Sequence, residues 1–201
     1  MSHTTVKTAL RWLPLTALIL VLAMGCGGGR MYVNTEADLG FYEKVGVLTF
    51  ANLTSDNNAA ERVTASFTTE LLMLNTVAVA SAGDFRKAST TVLQGSPVNL
   101  LDGLTSEQIF QIGQAAGVQG MFVGAVTQYG MVRSGQEEFP LVAVIVRFVD
   151  CQTGNVVWSY ETSKKGGPKF PVFSFGETHT LGEMTSVVCR DVARSFGRIA
   201  R

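Results

Sequence analysis

Hydrophobic and polar positions along the chain fall into blocks whose period switches between two and 3.6. Tyr42 to Phe50 (YEKVGVLTF) is a β-rich apolar run that ends in a turn-forming cluster, Asn52-Leu53-Thr54-Ser55-Asp56-Asn57-Asn58. Asn58, with Glu61 three residues on, predicts a capping-box-like start to a helix from Ala59 to about Leu74, in which Val63, Phe67, Leu71 and Leu74 return at helical spacing. Val77 to Ala82 (VAVASA) predicts a second short strand. A polar, weakly helical stretch follows around Phe85 to Leu93, and Gly95-Ser96-Pro97 breaks it. Thr105 with Gln108 opens another amphipathic helix with Ile109, Ile112 and Ala116 inward and Gly117 as its stop.

From Met121 the period becomes two. Met121 to Val132, Leu141 to Cys151 and Val156 to Ser163 predict three long strands. Arg133 to Pro140 reads as the short polar connection between the first two, and Gln152-Thr153-Gly154-Asn155 as a tight hairpin turn between the last two. The middle strand is apolar on both faces, which predicts a central place in the sheet. Lys164 to Phe175 reads as a basic loop that turns aromatic. A last helix, from Leu181 to about Ile199, sets Met184, Val187, Val188, Val192 and Phe196 inward and Arg190, Arg194, Arg198 and Arg201 on its solvated side or last turn. The order strand, helix, strand, helix, three-strand meander, helix predicts a single α/β domain over residues 42–201, with a mixed β-sheet covered by helices and a C-terminal helix.

The first 25 residues follow a different grammar. Lys7 and Arg11 precede an apolar stretch from Trp12 to Met24, which is too short for the roughly 20 residues of a spanning helix and reads as a secretory signal. It ends in Ala23-Met24-Gly25-Cys26, a cysteine behind a small residue, which resembles the lipobox at which bacterial lipoproteins are cleaved and acylated. Cys26 is thus the expected lipidation site and residues 26–41 the lipidated cysteine and a flexible tether, about 15 residues between anchor and first strand. Gly27, in place of the aspartate that retains lipoproteins at the inner membrane, directs the expectation to the periplasmic face of the outer membrane.

Composition narrows the function. The chain has 16 bases against 16 acids, and removing residues 1–25 takes away Lys7 and Arg11 and no acid, leaving 14 against 16. No like-charge run is present to engage phosphate backbones, so no nucleic-acid partner is expected. Charged residues make up 16% of the chain, below the roughly 25% of average soluble domains, which suits a domain that buries surface against copies of itself or a partner. His179, next to Thr178 and Thr180, is the one histidine after residue 25 and reads as a surface or capping residue. Glu137-Glu138 reads as a solvated pair at a loop tip. Cys151 and Cys189 are as compatible with buried free thiols as with a bridge. Among these residues no catalytic set, metal site or cofactor-binding motif emerges.

Three stretches in this order, Val45-Gly46-Val47-Leu48-Thr49-Phe50 with Asn52, Gly117-Val118 with Met121-Phe122-Val123-Gly124-Ala125-Val126, and Arg147-Phe148-Val149-Asp150 with Thr153-Gly154 and Val157-Trp158, lie behind the lipobox. Together they resemble the superfamily of periplasmic and outer-membrane lipoproteins related to the curli secretion protein CsgG, which also takes in the penicillin-binding-protein activator LpoB and the exopolysaccharide export lipoprotein PelC. The resemblance implies a non-enzymatic α/β domain held to the outer membrane through N-terminal acyl chains, with no cofactor or small-molecule substrate, acting as a homo-oligomer with envelope protein partners in export or assembly of a surface polymer. The alternative it leaves is an activator of a peptidoglycan synthase. Phe170, Val172, Phe173 and Phe175 form the candidate interaction loop, whose aromatics either meet a subunit or the membrane or fold back on the core.

Overall fold

The computed structural model describes residues 29–93, 104–167 and 178–200. They form a seven-stranded mixed sheet with four helices. The strands are β1 (Arg30–Val33), β2 (Lys44–Val47), β3 (Ala51–Asn52), β4 (Ala78–Val79), β5 (Gly120–Ser134), β6 (Glu137–Asp150) and β7 (Val156–Lys165). The helices are α1 (Ala59–Leu74), α2 (Ala82–Leu93), α3 (Ser106–Ala116) and α4 (Leu181–Gly197). Across the sheet the order is β1-β7-β6-β5-β2-β4, with β3 added alongside β5. β4, β2 and β5 run parallel, while β5, β6, β7 and β1 are antiparallel neighbours. β6 is flanked on both sides, as its two apolar faces require.

Helix placement follows the apolar spacing. In α1 Val63, Phe67 and Leu71 are buried, and in α4 Met184, Val188, Val192 and Phe196. These two helices cover one face of the sheet over a large aromatic cluster containing Phe50, Phe67, Phe122, Phe148, Trp158 and Phe196. On the other face α2 and α3 cover a smaller cluster of Leu48, Phe85, Ile109, Ile112, Met121 and Val149 at the parallel end of the sheet. Gly46 is required there, because a Cβ on it would overlap the ring of Phe85. Thr105 and Gln108 make the full capping box of α3, and Gly117 stops it in the left-handed conformation at φ 62°.

Several expectations are corrected. Residues 30–33, within the stretch read as tether, are a strand paired with β7, from Arg30 opposite Glu161 to Val33 opposite Trp158. The run from Tyr42 to Phe50 holds only the four residues of β2, because the chain then breaks to place β3 farther along β5. The second strand is likewise shorter than Val77 to Ala82, and Ala82 already begins α2. Asn58 precedes α1 but makes no side-chain cap; Asp56 accepts the Asn58 N–H instead, at 2.8 Å. Arg133 to Pro140 is not a loop, and Glu137 and Glu138 do not sit at a loop tip. β5 and β6 run on to a two-residue turn at Gly135 and Gln136, with an Arg133–Glu138 ion pair at 3.3 Å across it. Only the four residues flanking the turn, Arg133, Ser134, Glu137 and Glu138, are polar and exposed, while Phe139 and Pro140 are still buried. Only Met131–Ser134 and Glu137–Pro140 extend beyond the end of β7, well short of the roughly 9 to 11 residues of a spanning strand.

Candidate functional site

Of the residues singled out in the sequence, Cys26, Phe170, Val172, Phe173 and Phe175 lie outside the described residues, as do the signal segment and Gly95-Ser96-Pro97. What the structure shows is where the chain enters and leaves them. Gly29, three residues after Cys26, is packed on the sheet edge, and a Cβ there would press on the Tyr160 ring and the Glu161 carbonyl. Lys164 and Lys165, read as the start of a basic loop, are the last residues of β7, and Gly167, beside the Phe139 ring, is where the chain leaves the described residues toward the candidate interaction loop.

The chemical candidates resolve into structural roles. Cys151 and Cys189 are free and buried, and they belong to the clusters on opposite faces of the sheet, so they do not face each other. Burial, reinforced by Asp150, pushes the Cys151 thiol up to about 12; burial likewise pushes Cys189 up to about 12, with Glu70 adding to it. Neither thiol is a ready nucleophile, since the thiolate is the reactive form. His179 is exposed just before Thr180, the residue that caps α4 by accepting the Glu183 N–H at 3.2 Å.

The Asp150-to-Gly154 segment, which carries part of the family resemblance, is a turn device. Asp150 accepts from the backbone N–H of Gln152 at 3.0 Å and of Thr153 at 2.7 Å, and from the Thr153 hydroxyl at 2.9 Å. Its other oxygen accepts from the Tyr42 hydroxyl at 2.9 Å, joining the approach to β2 to the β6–β7 turn. Burial first, and Asp150 second, hold the Tyr42 phenol above its ordinary range. Gly154 then closes the turn at φ 75° against Ser106 of α3. Both carboxylate oxygens of Asp150 are thus engaged inside the fold, one by the turn and the other by Tyr42.

Several concave surfaces occur among the described residues, and two of them are lined largely by apolar side chains. One, of about 350 Å³, lies between α1 and α2 at the carboxyl ends of β2 and β4, floored by Val47, Leu48, Ala80 and Phe85 and rimmed by Glu61 and Arg86. Three of its hydroxyls are occupied by backbone: Thr64 donates to the Ala60 carbonyl and accepts the Phe50 N–H, Thr68 donates to the Thr64 carbonyl, and Ser89 donates to the Arg86 carbonyl. The other, of about 290 Å³, lies between β1 and the end of α4, lined by Gly29, Met31, Tyr160, Ser195, Arg198 and Ile199. Ser195 donates to the Met31 sulfur at 3.3 Å, and the Tyr160 hydroxyl donates to Asp191 at 3.2 Å, which also holds Lys164 at 2.9 Å. Sequence reasoning missed this second cleft. The run Met31-Tyr32-Val33 behind three glycines was its one local signal, and its remaining walls come from the opposite end of the chain.

Among the described residues no group of three or more His, Cys, Asp or Glu side chains could hold a metal, and no helix is long and apolar enough to cross a membrane. No protein-family model and no curated protein matches the sequence. By structure the chain is similar to PelC from Paraburkholderia phytofirmans, solved as a dodecamer, at 18% identity and a TM-score of 0.55, covering 85% of this chain and 97% of PelC. A point variant of the same PelC, also solved as a dodecamer but in another space group, gives a TM-score of 0.57 at 18% identity over 85% of this chain and 98% of that one. Lipoprotein GNA1162 from Neisseria meningitidis is similar at 22% identity and a TM-score of 0.51, covering 75% of this chain and 98% of GNA1162. At these identities the shared property is the fold: this chain is built on the same α/β plan, over nearly the whole length of those proteins and most of its own.

Proposed function

We propose that the protein is a non-catalytic lipoprotein on the periplasmic face of the outer membrane, acylated at Cys26, which acts as an oligomer in export or assembly of a surface polymer or envelope component. The observation that carries this reading is the junction of anchor and fold. A lipobox-like cysteine stands three residues before a glycine docked on the sheet edge, in a fold shared with a lipoprotein and with PelC, a protein solved as a dodecamer. The interior supports it by what its polar groups do: both thiols are kept protonated and Asp150 is spent on a turn.

The activator alternative needs reach. Because β1 starts at Arg30, the free leash from Cys26 to Gly29 spans at most about 11 Å, where an unpaired stretch to residue 42 would span about 50 Å. That leash holds the domain at the membrane it is anchored to.

Expression of the whole chain in a Gram-negative host tests the proposal. Mass spectrometry should find acyl chains on Cys26, and Cys26→Ser should release the protein from outer-membrane fractions into the soluble periplasm. Light scattering on the detergent-solubilised acylated protein should give a multiple of the protomer mass. A monomer at every concentration sinks the oligomeric part, and an unmodified Cys26 sinks the anchor.

A further inference from the structure

We infer that the cleft between β1 and the C-terminal end of α4 is the surface by which the domain sits on the phospholipid leaflet that holds its own acyl chains. This rests on lipidation of Cys26, and goes beyond it by assigning which side of the fold meets the membrane and through which residues.

The first argument is length. The acyl chains hold Cys26 at the boundary of the hydrocarbon, and a headgroup layer is roughly 5 to 8 Å deep on each side of the bilayer. Gly29 is fixed on the Tyr160 ring, so Cys26 can lie no more than about 11 Å from it. After crossing the headgroups the leash has only a few ångströms to spare. Whatever borders Gly29 is therefore pressed against the headgroups; Gly29 walls this cleft and also a more polar one with Glu161 and Ser163 beside β7, and of the two only the first is largely apolar.

The second argument is chemistry. Met31, 53% exposed on the edge strand, and the partly buried Ile199 supply apolar surface at the cleft. Arg198 lines it, and Arg194 stands one helical turn before it on α4. Both arginines are exposed, and among the described residues neither has a carboxylate within ion-pair distance; Arg198 donates to the Arg194 carbonyl at 3.4 Å. The nearest acid of the helix, Asp191, is engaged by Lys164 and Tyr160. An apolar cleft with uncommitted cations at its lip fits the phosphates and upper acyl region of anionic phospholipid, where each arginine contributes about fivefold in surface affinity.

The test uses the acylated full-length protein in vesicles of phosphatidylethanolamine and phosphatidylglycerol that carry a headgroup nitroxide. Mass spectrometry first establishes acylation; an unacylated Cys26 fails the anchored reading itself, before any docking is measured. A thiol-reactive fluorophore is then placed by Met31→Cys or, on α3 at the far side of the sheet, by Glu107→Cys. The buried protonated Cys151 and Cys189 leave the new thiol as the reactive one. Quenching should be several-fold stronger at position 31 than at 107. Equal quenching, or more at 107, overturns the assignment, as does a position 31 shielded from lipid by a second copy. Adding Arg194→Glu and Arg198→Glu, with the thermal midpoint unchanged, should reduce the difference without abolishing it, because the short leash keeps position 31 near the headgroups in either case. Vesicles of purely zwitterionic lipid should do the same to the parent protein, with no substitution to disturb folding. A difference that neither change reduces overturns the role of the arginines.

Discussion

The two faces of the sheet are built to different standards. On the face under α1 and α4, the Phe122 ring stands at the centre of an aromatic cluster, 4.7 Å from Phe148, 4.9 Å from Phe196 and 5.2 Å from Phe67. These rings come from strands and helices far apart in the chain, so the cluster closes the fold as a whole. On the face under α2 and α3, the cover stops short: along β7 Trp158, Tyr160 and Thr162 are buried while Ser159 is half-buried and Glu161 and Ser163 are exposed. Among the described residues no helix lies over that outward row. One face therefore supplies cohesion, and the other leaves a strand surface that is polar enough to stay in water and regular enough to meet a partner.

Truncation at matched positions should break this comparison if it is wrong. Phe122→Ala removes a fully buried ring shared by both covering helices and is expected to cost about 3 to 5 kcal/mol, lowering the thermal midpoint by roughly 10 °C. Phe85→Ala removes an equally buried ring, but one that holds α2 over Gly46 at the border of the smaller cluster. There the expected response is local: a midpoint shift less than half as large, with fast amide exchange confined to residues 82–93. Equal shifts and global exchange in both variants would show a single cooperative core instead of two unequal ones.

The same inequality explains what could be read from the sequence. α1, α3 and α4 were legible because each has an apolar stripe facing a deep cluster, and the meander because β6 is buried on both faces. β1 was not, because Arg30, Met31 and Tyr32 are all exposed on an edge strand and show no alternation of burial. The tip of the β5–β6 hairpin was misread for a related reason: at the Arg133–Glu138 and Ser134–Glu137 pairs cross-strand pairing persists in solvent with polar residues on both faces. The anchor cysteine was legible as a motif, but the cleft it leads to was not, because Met31 and Ile199 meet only through the fold. The Asp150 turn shows the reverse case, a recognisable motif whose residues serve the backbone.

Alkaline titration sharpens the comparison at intermediate size, because one thiol lies under each layer. Both Cys151 and Cys189 are raised from the ordinary value of 9 to about 12 in the folded protein, and Tyr42 is raised as well. A raised folded value means that the stabilising contribution is complete below pH 9 and is lost as pH climbs toward 12. The unfolding midpoint should thus be insensitive to these groups at neutral pH and fall from about pH 9 upward. Cys189→Ala and Cys151→Ala should each flatten that fall by up to one proton. If only Cys189→Ala does so, the layer over Cys151 opens before it titrates, a direct sign of the weaker face. A midpoint independent of pH across that alkaline range contradicts the burial of both.

The smallest effect concerns the seam between the two helices of the closed face. Glu70 of α1 accepts from Arg190 of α4 through Nε at 3.3 Å and Nη2 at 3.2 Å, a two-pronged pair in which the carboxylate is 11% exposed and the guanidinium 47%. Because the arginine is half in water, the pair gains little from its charges, and Glu70→Gln, which keeps the shape and leaves Arg190 hydrated, should cost under about 1 kcal/mol, a shift of about 3 °C or less. Arg190→Ala is not equivalent. It strips the nearly buried carboxylate of its partner and should cost more than Glu70→Gln, since an unpaired buried charge is penalised more heavily than a lost exposed one. Thermal midpoints at low and high salt separate the two: the Glu70→Gln difference should shrink with salt and the Arg190→Ala difference should persist. Equal costs for both variants would mean that water reaches Glu70, and that this seam is as open as the uncovered face it is contrasted with.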